Sequence, residues 1–204
     1  MSCTPHPYRN LWALTVMCLL HERPMHPYEM QRLIRQRNKD AFLDLKRGSL
    51  YHAIGRLQRA GLIEAVETVR EGRRPERTVY RLTDDGAEEL QAWLRELLSQ
   101  PVRTPTPFFA ALSFLAHVPP EDVLTQLQAR VALLEVDIAS LDAVLQMLVP
   151  RIGRLVLVEV EYARALRQAE LAWVRALIED LRAGRLTWTP RDPGCAGGPP
   201  QPEA

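Results

Sequence analysis

Cysteine is scarce in this sequence, and its distribution argues against two kinds of stabilisation. Cys3, Cys18 and Cys195 are odd in number and far apart along the 204 residues. A disulfide framework needs paired cysteines, and a cysteine metal site needs close spacing such as C-x-x-C. Neither pattern is present, so we expect the fold to rest on an apolar core, for which the chain is long enough.

Long apolar runs are also missing. No uninterrupted apolar run approaches the roughly 18 residues that a membrane-spanning helix needs. The first eight residues contain two prolines instead of a basic segment followed by an apolar one, so no secretion signal is visible. We therefore expect a cytoplasmic protein.

Catalytic and cofactor motifs do not occur. The sequence has no G-x-S-x-G elbow, no Walker loop and no Rossmann fingerprint. His21, Glu22 and His26 lack a further ligand at a recognisable metal-binding spacing. Asp84 and Asp85 are explained more simply as acids at a helix N-terminus than as a catalytic pair. We expect neither an enzyme nor a bound cofactor or metal.

The charges are unevenly distributed along the chain. Residues 1–82 contain 15 lysines and arginines against 8 acids, whereas residues 83–204 contain 11 against 17. This asymmetry favours a basic half that meets a polyanion and an acidic half that does not.

The stretch RGSLYHAIGRLQRAGLI, residues 47–63, predicts an amphipathic helix. Its apolar residues at positions 50, 53, 54 and 57 have the spacing of one helix face. The opposite face carries His52, Gly55 and Arg59, with Tyr51 and Arg56 beside it, and has no acid. An exposed central glycine costs about 1 kcal/mol relative to alanine. Close approach of another surface is one reason to tolerate it, and a solvated face that happens to lack acids is the alternative.

This helix belongs to a larger predicted arrangement. The predicted elements, in order, are helices that begin after Asn10 and at Pro27, the helix just described with its end at Gly61, strands over 62–69 and 78–82, and a helix capped by Thr83. Helix, helix, helix, hairpin and helix is the order of a winged helix-turn-helix. In that fold the third helix enters the major groove of DNA.

The second half contains a heptad pattern. Eight apolar residues with spacings 3-4-3-4-3-4-3 are typical of a coiled-coil seam. They are Leu124, Leu127, Val131, Leu134, Ile138, Leu141, Leu145 and Leu148. Pro150 and Gly153 are expected to end this helix, and a second amphipathic helix is expected over about 155–183. The pair either packs only on itself or forms a homodimer; we favour the dimer, because a dimer reads two half-sites.

The chain resembles the PadR family of transcriptional regulators. Three segments carry the resemblance, in order: MHPYEMQRLI, GSLYHAIGRLQRAGLI and EGRRPERTVYRLTDDG. Pro27 departs from the glycine of many members. Residues 170–188 are similar to the end of longer members, which have a helical dimerisation region. The resemblance implies a mainly α fold with a small β-hairpin: a winged helix-turn-helix over 1–98 and a coiled-coil-like dimerisation domain over 121–188. Residues 99–120 have prolines at both ends of an apolar stretch, so we expect a linker with a short helix there. Residues 189–204 are rich in proline and glycine, so we expect a disordered tail.

On this basis the DNA-binding residues can be assigned roles. Ser49 and Tyr51 are expected to contact phosphates near the N-terminus of the third helix. His52 and Arg56 are expected to reach base edges. The remaining candidates are cations: Lys46 and Arg59 for phosphates, and Arg73 and Arg74 at the tip of the wing for the minor groove.

The sequence therefore predicts a homodimeric DNA-binding transcriptional regulator, and steric occlusion of a promoter favours a repressor. A small apolar or aromatic effector is a further hypothesis, with a pocket formed by Trp93, Phe108, Phe109 and Trp173; the alternative is that these side chains belong to the dimer core. The competing function is a coiled-coil interaction module whose winged helix binds protein instead of DNA.

Overall fold

The computed structural model describes residues 8–37, 49–69, 77–101 and 106–189. The chain divides into two compact units, Met1–Arg103 and Thr104–Ala204. Each unit is described by itself below. The predicted disordered tail falls outside the described residues from position 190 onward.

The first unit is a helical domain with one hairpin. Its described elements are α1 (Leu11–Glu22), α2 (Pro27–Gln36), α3 (Leu50–Arg59), β1 (Ile63–Val69), β2 (Arg77–Leu82) and α4 (Asp84–Ser99). The predicted caps are confirmed: Asn10 accepts a hydrogen bond from the Ala13 N–H at 2.9 Å, and Thr83 accepts one from the Gly86 N–H at 3.0 Å. Pro27 occupies the first turn of α2.

The core of this unit lies between α1, α3 and α4. The four apolar residues of the predicted α3 stripe are all buried, which confirms the sequence pattern. They pack in one cluster with Val16 and Met17 of α1, Met30 of α2 and Trp93 of α4. Because the apolar face of α3 is held against α1, its opposite face is directed outward.

The hairpin pairs β1 with β2 in antiparallel register, from Ile63 opposite Leu82 to Val69 opposite Arg77, with one irregularity between Ala65 and Glu67. Met25 forms an isolated β-bridge with Tyr80: its N–H donates to the Tyr80 carbonyl at 3.0 Å, and the Tyr80 N–H donates to the Met25 carbonyl at 3.1 Å. The hairpin is therefore joined to the loop between α1 and α2. The helices and the hairpin form the predicted winged helix-turn-helix.

Two glycines fix the end of α3 against the start of α4. Gly61, with φ of +73°, ends α3, and the N–H groups of Gly61 and Leu62 donate to the carbonyls of Gln58 and Leu57. This is the Schellman arrangement that glycine favours. Gly86 lies so close to the Leu62 carbonyl that an added Cβ would be 2.0 Å from its oxygen. The Thr83 N–H donates to the same carbonyl at 3.1 Å.

The second unit is helical throughout its described elements. These are α5 (Pro107–Ser113), a 3-10 turn (Leu115–His117), α6 (Pro120–Ile152), a second 3-10 turn (Arg154–Leu157) and α7 (Val158–Arg182). Of the two residues predicted to end the first long helix, Gly153 does so and Pro150 does not. Pro150 is exposed in the last turn and has no backbone N–H, and the Gly153 N–H still bonds to the Val149 carbonyl at 3.0 Å. Gly153, with φ of +84°, ends the helix.

Helices α6 and α7 form an antiparallel hairpin. We call the eight residues of the predicted heptad pattern the inner seam. Leu127 and Leu134 of this seam are buried and the other six are half-buried. Leu127 packs with Val174 and Ile178 of α7. Ion pairs between α6 and α7 follow the same alignment: Arg130 with Glu170, Glu135 with Arg175, Asp137 with Arg167 and Asp142 with Arg164. The inner seam thus makes contacts within one chain, and its role in dimerisation stays a prediction.

A second apolar stripe on α6 is exposed in the single chain. Leu133, Val136 and Met147 expose 69%, 64% and 55% of their surface. With Ala129 and Ala143 they follow heptad spacing on one helix face, two residues out of step with the inner seam. We call Leu133, Val136 and Met147 the outer stripe.

Among the residues described, no helix combines the length and apolarity required to cross a membrane.

Candidate nucleic-acid interface

The outward face of α3 is polar and has no acid. Tyr51, His52, Gln58 and Arg59 are exposed, and Tyr51 presents 61% of its surface. None of the ten residues of α3 is Asp or Glu. The face therefore offers hydrogen-bonding groups and positive charge without a carboxylate to repel phosphate, and these properties suit contact with DNA.

The predicted contact residues of α3 differ in exposure. Ser49 occupies the N-cap position, and its hydroxyl accepts no hydrogen bond from the backbone of α3. Arg59 is exposed, and its Nε donates to the Gly55 carbonyl at 3.0 Å, so the guanidinium is held along the helix surface. Arg56 is half-buried, beside this face. Lys46, Arg73 and Arg74 lie outside the described residues, and the roles of all eight residues stay predictions.

Arginines on neighbouring elements are engaged by carboxylates. Arg37 donates to Glu22 at 2.8 Å, and this hydrogen bond is the main reason that the pKa of Glu22 lies below its usual value. Arg23 lowers the pKa of Glu29 in the same way. On the hairpin, Arg81 pairs with Glu64. These ion pairs neutralise part of the positive charge of the unit, whereas α3 has two arginines and no acid of its own.

Sequence reasoning missed two features of this unit. Gln58 lies on the exposed face of α3, seven residues after Tyr51, and helical spacing was a signal that could have identified it. Arg9 donates to Glu89 at 2.9 Å and to Glu96 at 2.6 Å and lies over the Trp93 ring at 5.4 Å. No local pattern predicts a contact between residues 80 or more positions apart.

The aromatic residues of the predicted effector pocket have different surroundings. Trp93 is buried in the core of the first unit. In the second unit, Phe108 meets Trp173 edge to face with ring centres 6.3 Å apart, and the Arg130 guanidinium lies 3.6 Å from the centre of the Phe108 ring. Phe109 is exposed. The pocket stays a prediction.

A surface groove of about 440 Å³ lies elsewhere on the second unit. None of the four aromatic residues lines it; its lining residues are Gln128, Val131, Arg175, Ile178, Glu179 and Arg182. Among the described residues, no three His, Cys, Asp or Glu side chains are grouped so that they could hold a metal ion.

Known proteins share this sequence pattern and fold. The model of the transcriptional regulator PadR-like family matches residues 16–92. No curated protein matches the sequence.

Solved structures extend the likeness to most of the chain. Bacillus subtilis PadR, solved in complex with operator DNA, is 17% identical, with a TM-score of 0.66 over 84% of this chain and 99% of that one. The same protein solved in complex with p-coumaric acid is 15% identical, with a TM-score of 0.67 over 85% of this chain and 99% of that one. The Vibrio cholerae virulence activator AphA is 19% identical, with a TM-score of 0.62 over 85% of this chain and 99% of that one. The fold is thus shared across both units, and residues 16–92 match the transcriptional regulator PadR-like family.

Proposed function

We propose that this protein is a sequence-specific DNA-binding transcriptional regulator that acts as a homodimer. The observation that carries the proposal is the exposed, acid-free face of α3, which the buried stripe of the same helix directs away from the core. Two comparisons support a DNA ligand: residues 16–92 match the transcriptional regulator PadR-like family, and the similar Bacillus subtilis PadR was solved in complex with operator DNA.

In this proposal α3 lies in the major groove. His52 and Arg56 read base edges, since an arginine that bonds two acceptors of guanine is the commonest specific contact. Ser49, Tyr51 and Arg59 bond phosphates, which fixes the register of the helix on the duplex. Lys46 adds a phosphate contact, and Arg73 and Arg74 follow the minor groove from the wing.

A second copy of the chain is proposed to cover the outer stripe. Three large apolar side chains in heptad spacing, each more than half exposed, are unfavourable in water and match the pattern that a partner helix covers. Every residue of the inner seam is at least half-buried within one chain, so the outer stripe is the more exposed apolar face of α6 and the one proposed for the partner; the inner seam is the alternative interface. A two-fold dimer would bring two α3 helices to half-sites about one helical turn apart, roughly 34 Å.

Neighbouring residues on α6 provide a matched test of this dimer. Leu133→Asp changes the outer stripe, where a monomer tolerates a carboxylate, and should give a folded monomer. Leu134→Asp buries a carboxylate inside the hairpin at a cost of several kcal/mol and should unfold α6 and α7. Sedimentation measures the mass and circular dichroism the helix content. A dimeric Leu133→Asp together with a folded, monomeric Leu134→Asp would instead select the inner seam as the interface.

DNA binding is tested by selecting bound sites from a pool of random duplexes. We expect enrichment of a sequence with two inverted half-sites, one for each protomer. Failure to enrich any sequence, with weak retention of random duplex at low salt, would support the competing function, a coiled-coil module whose winged helix binds protein.

The regulatory sign and the effector complete the proposal. Steric occlusion of a promoter needs only tight binding, which favours a repressor, although AphA is named an activator and fold alone does not fix function. Bacillus subtilis PadR was solved with p-coumaric acid, and a small aromatic effector is proposed for this chain too. A ligand that binds the native state raises Tm, so a thermal-shift screen of small aromatic acids, repeated with Trp173→Ala, tests it.

A further inference from the structure

Gly55 lies at the centre of the exposed face of α3. Residues three and four positions away on a helix are its neighbours on the helix surface. For Gly55 these are Tyr51, His52, Gln58 and Arg59, and all four are exposed. Gly55 is therefore the floor of a hollow surrounded by four hydrogen-bonding side chains, which we call the Gly55 hollow.

The fold gives no reason for a glycine at this position. A Cβ built on Gly55 meets nothing within 4 Å, and its φ is not positive, unlike those of Gly61, Gly153 and Gly184. A helix is less stable with glycine at an interior position than with alanine there. Gly86 shows the contrast, since its own added Cβ would collide with the Leu62 carbonyl. The space at Gly55 is open in the free protein, so only a partner can require it to stay open.

The floor of the Gly55 hollow is apolar. The backbone N–H of a residue inside a helix is used by the helix itself, and the Gly55 carbonyl also accepts the hydrogen bond from Arg59 Nε. What remains to face a partner is the Cα. Among the groups that base pairs present in the major groove, donors and acceptors would lose their water against such a floor, whereas the thymine methyl group is apolar.

We propose that the Gly55 hollow receives the methyl group of a thymine, with the surrounding side chains bonding the neighbouring base edges and phosphates. This inference rests on the proposed DNA-binding function. It makes Gly55 a specificity-determining residue and adds Gln58 to the contact residues. An added Cβ at position 55 would occupy the volume of the thymine methyl group.

The probe is a duplex that the wild-type protein selects from a random pool, in which each thymine is replaced in turn by deoxyuridine. At one thymine in each half-site, removal of the methyl group should lower the affinity of the wild-type protein for the duplex about fourfold, which is the effect of one buried methyl group. Gly55→Ala should bind the unmodified duplex at least tenfold more weakly than the wild type. With deoxyuridine at that position, Gly55→Ala should recover most of the lost affinity. Gln58→Ala leaves the hollow open but removes a proposed contact, so it should weaken binding to the thymine and deoxyuridine duplexes by the same factor and keep the wild-type dependence on the methyl group.

Thermal unfolding separates a role in binding from a role in folding. Gly55→Ala should raise Tm by about 2–4 °C. A lowered Tm, unchanged affinity for the unmodified duplex, or equal weakening on thymine and deoxyuridine duplexes would each overturn the inference. If the wild-type protein selects no duplex, the proposed function itself is wrong, and that result appears before any variant is needed.

Discussion

Gly86→Ala tests the contact that joins α3, the hairpin and α4. The added Cβ would lie 2.0 Å from the Leu62 carbonyl oxygen, 3.0 Å from the Leu62 carbonyl carbon and 3.0 Å from Leu82 Cδ1. Because the nearest atoms belong to the backbone, no side-chain rotation relieves the collision. The start of α4 would have to move away from Leu62, which strains the hydrogen bond from the Thr83 N–H to the Leu62 carbonyl.

The magnitude follows from opposing effects. Overpacking costs about 1–3 kcal/mol, and a strained backbone hydrogen bond costs up to about 1 kcal/mol. Alanine in a helix recovers up to about 1 kcal/mol. We expect a net loss of about 1–3 kcal/mol in the free energy of unfolding, measured by urea unfolding followed by circular dichroism. Gly55→Ala is the matched control, since its Cβ enters open space and should stabilise the protein. A Gly86→Ala protein as stable as that control would refute the close approach of α4 to Leu62.

Three further predictions concern single side chains. Arg56→Ala should reduce the preference for particular bases at one or two base pairs and weaken binding to the selected duplex by on the order of 1–3 kcal/mol. If binding to random duplex weakens equally, Arg56 contacts a phosphate instead. Arg9→Met should destabilise the first unit by about 1–3 kcal/mol, because two carboxylates lose their charged donor, and unchanged unfolding would contradict this. Glu22 and Glu29 have lowered pKa values in the folded state. Their contribution to stability is therefore present above about pH 4.5 and is lost as the pH falls through their folded pKa values. The Glu22→Gln, Glu29→Gln double variant should lose less stability on acidification than the wild type.

Local patterns in the sequence predicted the elements that position the candidate interface. The stripe of α3, the cap of Asn10 and the cap of Thr83 depend on residues within one turn, and the structure confirms them. Gly153 ends α6 as predicted, whereas Pro150, which was also expected to break the helix, lies within its last turn.

Features that depend on distant partners were not predictable in this way. The Arg9 contacts with Glu89 and Glu96 join segments that no periodicity connects. On α6 the sequence shows which positions are apolar and cannot show which of them α7 covers. The inner seam was identified from its spacing, whereas the outer stripe emerged only when the burial of Leu134 and the exposure of Leu133 were compared.

The central claim is that the first unit binds DNA through a basic surface. The most direct test is the dependence of duplex affinity on salt concentration for the wild-type protein, measured by fluorescence anisotropy. Four cations per protomer are proposed to reach the DNA backbone or the minor groove: Lys46, Arg59, Arg73 and Arg74. If all eight cations of a dimer neutralise phosphates, log K should fall with log salt with a slope of about −7. A slope near zero, or no binding at low salt, would contradict the account.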